Sequence, residues 1–440
     1  MKTKYIIESY ALLLIVLVAG ACTSQQGIFG NKSAHEKYTS GLEDAGLSNT
    51  TLGRQWKLAA ESGMLNPVQV EIPYRETGYF EMQEPRSSGY TFNAKRGERV
   101  LVDVQTTPSK GFLLFTELWQ LRSGQTAKFL MAADTLTNKL TWDVKEDGTF
   151  IVRVQPELLH GMAYTITITT GPSLAFPINK RDNPRVISIW GDPRDGNSRK
   201  HEGIDILAKK HTPVVAVSDG VVTSVKENGL GGKVVFFRPN GSDFNLYYAH
   251  LDTQLVSTGQ RMNAGDPLGT LGNTGNAKNT VAHLHFGIYT GGGAVDPLPF
   301  VNDTRPLPRS INADTALLLS MLRIKTNGVL SSEPINAKDG NVNLTAGQAV
   351  KAIAATNGYY YVQLPSNATG FVKKEMVTKM VFNKIMLAKE ISLYDDPRND
   401  AAIKKLLPKG QAVSIGGTSG NFSFITSGRD KGWVMNSELK

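Results

Sequence analysis

The sequence predicts a mainly β, multidomain protein. Three observations carry that reading. Short segments alternate apolar and polar residues with period two over most of the chain. Glycine, proline and Asp-Gly pairs punctuate those segments at strand-like intervals. The last third contains an internal repeat of about 60 residues of short strands, the size of a small β-barrel. The 440 residues are 40% hydrophobic and 20% charged. That is an ordinary globular mixture, with material for about three or more cores, and it excludes a disordered chain, a collagen-like fibre and a polytopic membrane protein.

The elements follow in chain order. Lys2 and Lys4 precede an unbroken run of apolar or small residues, Ala11 to Ala21, which ends at Cys22. A spanning helix needs about 20 apolar residues, so the run reads instead as a secretory signal over residues 1–21. Cys22 is the one cysteine of the chain. Its place at the expected cut site resembles a bacterial lipoprotein box, which implies lipidation of Cys22, export and membrane attachment in the cell envelope. The common box has Leu three residues before the cysteine, where this chain has Ala19, and Glu8 is an unusual acid so near the start. Residues 22–67 read as a tether followed by two short helices, marked by Leu42 and Leu47 and then by Leu52 and Trp56, packing on the next domain.

Residues 68–172 read as an antiparallel N-terminal β-sandwich with an accessory role. Leu140, Trp142 and Val144 alternate with polar residues, as do Phe150, Val152 and Val154, and then Tyr164, Ile166 and Ile168. Asp147-Gly148 is a hairpin signal. Residues 186–300 are also strand-rich, but richer in glycine and histidine. In the last third, Leu344 to Val350 recurs at Leu407 to Val413, and Gly370-Phe371-Val372 recurs at Gly432-Trp433-Val434. Both copies, 315–379 and 380–440, resemble bacterial SH3-like barrels. Trp433 and the Tyr359–Tyr361 cluster fit either a ligand groove or a barrel core. A helical patch near Ala316–Met321 and the prolines Pro306 and Pro308 would link the barrels to what precedes them.

Five of the seven histidines fall between residues 201 and 285, and they carry the functional signal. His201-Glu202-Gly203-Ile204-Asp205 places an imidazole and a carboxylate on a bend that runs into a strand, where both can reach one metal. In His283-Leu284-His285 the two imidazoles share one strand face, about 7 Å apart. One of them can bind a metal while the other faces the adjoining water or substrate. The count is three protein ligands and an open position, the pattern of catalytic rather than structural zinc. His250, in Tyr247-Tyr248-Ala249-His250-Leu251 at a probable strand end, is the remaining catalytic candidate. His211 reads as a surface-loop residue, and His35 and His160 are unassigned. Tyr248 is a packed strand residue or a substrate contact, and Glu202 a solvated loop carboxylate.

His-x-x-x-Asp, then Tyr-Ala-His-Leu, then His-Leu-His, in that order, resembles the lysostaphin/LytM-type zinc metallopeptidases over about 110 residues. Gly191-Asp-Pro-Arg-Asp-Gly, Asp219-Gly220 and Gly265-Asp-Pro-Leu-Gly269 agree with the resemblance. It implies an antiparallel β peptidase domain with a duplicated hybrid motif. It implies Zn2+ held by His201, Asp205 and His285, with His250 and His283 as catalytic non-ligands. It implies peptidoglycan as substrate, cut at stem peptides or cross-links. The family often has Gly-Pro before the His pair, where this chain has Val281-Ala282. Some relatives lose ligands and act as activators of other wall hydrolases, whereas here all five positions are kept. A non-catalytic wall-binding activator and a zinc endopeptidase acting on Gly-rich protein are the alternative readings.

Charge adds little. Lys and Arg number 48 against 39 Asp and Glu, a formal +9. The basic residues occur as isolated pairs, Lys209-Lys210, Lys373-Lys374 and Lys404-Lys405, with no stripe or module of a nucleic-acid binder. A mildly positive surface suits anionic envelope polymers.

Overall fold

The computed structural model describes residues 32–122, 124–334, 342–379 and 383–439. The signal segment and Cys22 lie outside the described residues. The chain is mainly β, with 12% helix and 47% strand arranged in several sheets. No described helix is long and apolar enough to cross a membrane.

Two helices open the described chain. Ala34–Asp44 starts at a capping box in which Ser33 and Glu36 satisfy each other's backbone N–H groups. Thr51–Leu65 starts at Thr50, whose hydroxyl accepts from the Gly53 N–H. Leu47 falls beyond the first helix and is exposed. Both helices lie on the strand Gly148–Pro156. Trp56, 1% exposed, donates its indole N–H to the Pro156 carbonyl at 2.8 Å, and His35 stacks on its ring at 4.7 Å. This cover explains why Phe150 to Pro156 is buried at every position rather than at alternate ones: both faces of the strand are shielded.

The first β domain is built from two facing sheets around one core. One has the order Val68–Gln69, Ser88–Ala94, Gly148–Pro156, Leu114–Gln120, Lys128–Ala132. The other contains Tyr74–Phe80, Met162–Pro172, Glu98–Thr107 and Lys139–Asp143. Phe92, Leu118 and Val152 meet Val100, Ile166 and Ile168 between them. The Asp147-Gly148 turn makes no hairpin. Lys139–Asp143 and Gly148–Pro156 belong to different sheets, so the turn carries the chain across the core, and Asp147 accepts from the Arg96 N–H instead.

The histidine-rich segment forms a ten-stranded sheet. Along its main path the order is Arg185–Ser188, Ile204–Leu207, His283–Thr290, Asn245–Gln254, Gly232–Pro239, Gly220–Asn228, Arg261–Met262. All these neighbours are antiparallel. Leu284, Phe286 and Ile288 point into the core with Ile206, Phe237 and Tyr248. The intervening positions of the His283–Thr290 strand therefore face the opposite side, and that side carries the histidines. This domain joins the first through Phe300, which lies against Gly97. That glycine has φ +90°, and a Cβ there would come within 2.2 Å of the phenyl ring. Turn and contact both require glycine.

The strand Tyr74–Phe80 also pairs with Ala349–Ala355, through Thr77 to Ala355 and Gly78 to Ala354. One nine-stranded sheet thus runs from the first β domain into a third body, built from the strands between Met321 and Thr378. The helical patch expected near Ala316–Met321 is a single 3-10 turn, Thr315–Leu317, and Met321 already begins a strand. The last body has a six-stranded sheet. It packs on its neighbour through Tyr394, Phe422 and Trp433 against Ala349 and Met321. Trp433 is thereby buried between the two bodies, and Tyr360 lies in the core of the third.

Candidate active site

The strands Ile204–Leu207 and His283–Thr290 pair with Asp205 directly opposite His285. Two donors from separate sequence motifs are thus brought together by register alone. His201 arrives from the bend before the first strand and is 4% exposed. Its Nδ1 faces the Ile189 carbonyl at 2.9 Å and the Ser188 hydroxyl at 3.2 Å, which orients Nε2 inward. His201 Nε2 and His285 Nδ1 are 3.0 Å apart, and each lies 3.1 Å from Asp205 Oδ1. Gly203 makes this possible by absence of bulk: a Cβ there would come within 2.7 Å of the His285 ring. The Phe286 carbonyl oxygen would lie closer still, at 2.6 Å, so backbone and imidazole together require glycine here.

These three residues could hold a metal ion. Ligand atoms at about 2.0–2.1 Å from a tetrahedral zinc stand about 3.3 Å from one another. The observed triangle, 3.0 to 3.1 Å on each side, fits that set, as does its chemistry of two imidazoles and one carboxylate. Burial alone would raise the Asp205 carboxyl. The hydrogen bonds and charges of His201 and His285 override burial and hold it well below the usual carboxylate range. Burial lowers His285, although Asp205 pulls the other way.

His250 and His283 complete the cluster, with ring centroids 5.0 Å apart. His283 Nδ1 is tied to the Val281 carbonyl at 2.9 Å, and its Nε2 lies 4.0 Å from Asp205 Oδ1. His250 sits inside the strand Asn245–Gln254 rather than at its end. It adopts φ +62°, uncommon for a non-glycine residue, where the pairing with Gly232–Pro239 shifts register. That irregularity turns its ring out of the pleat toward His283. Its Nδ1 donates to the Thr274 carbonyl at 2.9 Å, which leaves Nε2 as an acceptor. Burial, with His283 and His285 close by, pushes His250 down to about 4, so it is neutral at pH 7.

A cleft of about 620 Å3 contains all five residues. Phe236, Tyr247 and Tyr289 line it, and exposed Ile187, Leu230 and Val281 flank its mouth. Burial raises the Tyr247 hydroxyl, and burial beside Glu202 pushes Tyr289 up to about 12. Tyr248 points away into the core. His211 does not line the cleft and pairs with Asp252 at 3.2 Å on the surface. His35 belongs to the Trp56 cluster.

Sequence reasoning passed over Arg194. Its guanidinium donates to Asp205 Oδ2 at 2.8 Å and to the Ser188 hydroxyl at 2.7 Å. Asp205 therefore gives one oxygen to the imidazoles and the other to Arg194. The available signal was a lone arginine in the Gly191-to-Gly196 loop just ahead of His201.

Residues 199–297 match the family model "Peptidase family M23". The chain is 36% identical over 109 residues to the peptidoglycan DD-endopeptidase ShyC of Vibrio cholerae, covering 25% of this chain and 24% of that protein. It is 36% identical over 117 residues to the uncharacterized lipoprotein YgeR of Escherichia coli, covering 27% of this chain and 44% of that protein. It is 34% identical over 168 residues to the murein hydrolase activator NlpD of Salmonella dublin, covering 37% of this chain and 42% of that protein. The chain thus spans less than half the length of each of these relatives. The segment that carries the histidine cleft is a homologue of the M23 peptidases.

Proposed function

We propose that the chain is a zinc-dependent endopeptidase that hydrolyses peptide cross-links or stem peptides of peptidoglycan. The observation that carries this reading is the triangle of His201 Nε2, Asp205 Oδ1 and His285 Nδ1, with His250 and His283 beside it in one cleft. His201, Asp205 and His285 are the metal ligands. Zinc, when bound there, supplies polarisation of the scissile carbonyl and a water acidified to a pKa of about 7. His250, neutral and with Nε2 free to accept, takes a proton from the nucleophile's side of the cleft. His283 presents Nε2 to the same space and, in its imidazolium form with Nδ1 still on the Val281 carbonyl, donates from Nε2 to the developing oxyanion. The aromatic walls and apolar rim exclude water and position the peptide.

Lipid on Cys22 tethers the enzyme in the envelope, and the C-terminal pair, read as SH3-like barrels, places it on the wall. A likeness to a lipoprotein supports the envelope location. Digestion of intact peptidoglycan by the purified chain, with and without a chelator, tests the reading. Mass spectrometry should show a metal-dependent loss of cross-linked species, and its absence sinks the proposal. A second reading has one specific support, the likeness to a murein hydrolase activator. On that reading the chain binds the wall and stimulates a partner hydrolase while never cutting on its own.

A further inference from the structure

A second cavity, of about 270 Å3, lies where the helix Thr51–Leu65, the first β domain and the third body meet. Gly63, Glu76, Tyr79, Ser87, Tyr361 and Gln363 are among its lining residues. Glu76 is 3% exposed. Its Oε2 accepts from the Tyr74 hydroxyl at 2.7 Å, and its Oε1 from Tyr90 at 2.7 Å and Tyr164 at 3.0 Å. Among the described residues no lysine, arginine or histidine forms an ion pair with it. Arg75, adjacent in sequence, is exposed and donates to the Thr167 hydroxyl, and Arg86, which lines the same cavity, is engaged with Glu84 and Gln363. The hydroxyl of Ser87, in the same lining, is buried and has no hydrogen-bond partner among the described residues.

A buried carboxylate is ordinarily matched by a cation. Three neutral phenols do not supply one. They occupy three of roughly four lone-pair directions and leave a single one on Oε2. A guanidinium fork asks for an acceptor on each of two oxygens, so the vacancy suits a compact donor with one hydrogen bond to spend on this carboxylate. A metal ion asks for several anionic or imidazole donors, and the described residues bring no such group together here. Burial raises the Glu76 carboxyl, and the phenols only partly offset it, as expected for an acid whose counter-charge is not part of the fold.

We propose that this cavity binds a primary ammonium group on a short aliphatic chain, with Glu76 as counter-ion and the Ser87 hydroxyl as a second acceptor. Tyr79 and Tyr361 add aromatic surface of the kind that favours cations. The ammonium can belong to a free diamine or amino acid, or to the side-chain amine of a peptide. Because the cavity is closed by two bodies of the molecule, occupancy would stiffen their junction. None of this depends on the peptidase reading.

Calorimetric titration of the full chain with cadaverine, with Nα-acetyl-lysine amide, and with its Nε-acetylated form tests the site. Saturable binding is expected for at least one of the first two and for none of the acetylated amine. A preference for cadaverine identifies a free amine as the occupant, and a preference for the lysine derivative a peptide side chain. Glu76→Gln should weaken binding by about tenfold or more. Ser62→Trp fills the cavity from the helix side while leaving Glu76 and its phenol hydrogen-bond partners unsubstituted and should abolish binding, so the test survives if the Glu76 variant does not fold. No saturable binding by either amine, equal binding of the acetylated form, or binding unchanged in Ser62→Trp overturns the proposal.

Discussion

Asp205 and Glu76 are both largely withdrawn from water, yet their company differs in kind. Asp205 faces two imidazoles through one oxygen and an arginine through the other, at the floor of an open cleft. Glu76 faces three phenols at a domain junction and has no cationic neighbour to pair with among the described residues. The first carboxyl is held ionised by its neighbours and the second is pushed toward its neutral form by burial. Burial alone therefore does not say what an acid is for; the charge and reach of its partners do.

The largest expected effects come from breaking the Asp205 side of this contrast. His285→Ala should abolish stoichiometric zinc in the purified protein and reduce peptidoglycan hydrolysis to background. His283→Ala should keep the zinc and lose about two to four orders of magnitude in rate, the range of a lost acid–base group. Metal analysis alongside the rate separates the two. Full zinc occupancy in the His285 variant would overturn the ligand assignment.

Arg194→Ala comes next. It leaves all three donors in place but removes the partner of Asp205 Oδ2 and one of the partners of the Ser188 hydroxyl. A loss of about 10- to 100-fold in zinc affinity is expected, as for other groups that orient a ligand from behind. Competition with a chromogenic chelator measures it, and an unchanged affinity reduces Arg194 to a surface ion pair.

Parts of both sites were legible in sequence and parts were not, for physical reasons. The His283-x-His285 spacing shows one strand face directly, because side chains alternate with period two. The approach of His201 and Asp205 follows from four residues of local chain. Position on a strand did not reveal how His250 is aimed, because its left-handed backbone arises from a register shift between two strands. Arg194 carried no spacing signal of its own. The Glu76 cluster draws its phenols from residues 74, 90 and 164, on three strands of two sheets, and tyrosines at alternate strand positions look like any core. The sheet that continues into the third body was equally silent: edge pairing is made by backbone groups, which every sequence has.

The pH dependence of folding sharpens the contrast further, in protein free of metal and amine. Glu76 is raised, so its contribution is complete below the ordinary glutamate value of 4.5 and is lost as pH climbs through the folded value. Asp205 is depressed, so its contribution is present above the ordinary aspartate value of 3.8 and is lost as pH falls. Relative to the wild type, Glu76→Gln should gain stability as pH rises above 4.5, and Asp205→Asn should gain as pH falls below 3.8. Urea unfolding across a pH series gives both slopes. Slopes of the same sign would mean that one of the two environments is misread.

The smallest effect is expected where a histidine and a carboxylate meet without either kind of company. His211 lies 3.2 Å from Asp252, with its side chain 64% exposed and Lys210 competing for the same carboxylate at 3.5 Å. Water screens the pair, and neither residue lines the cleft. His211 has φ +69°, so His211→Asn keeps a residue that tolerates this backbone while removing the imidazole. The variant should stay within about 0.5 kcal/mol of the wild type in unfolding and keep its zinc content. A loss of zinc in this variant would extend the metal site to a third histidine. Retention confines the chemistry to imidazoles that burial and a held second nitrogen have oriented.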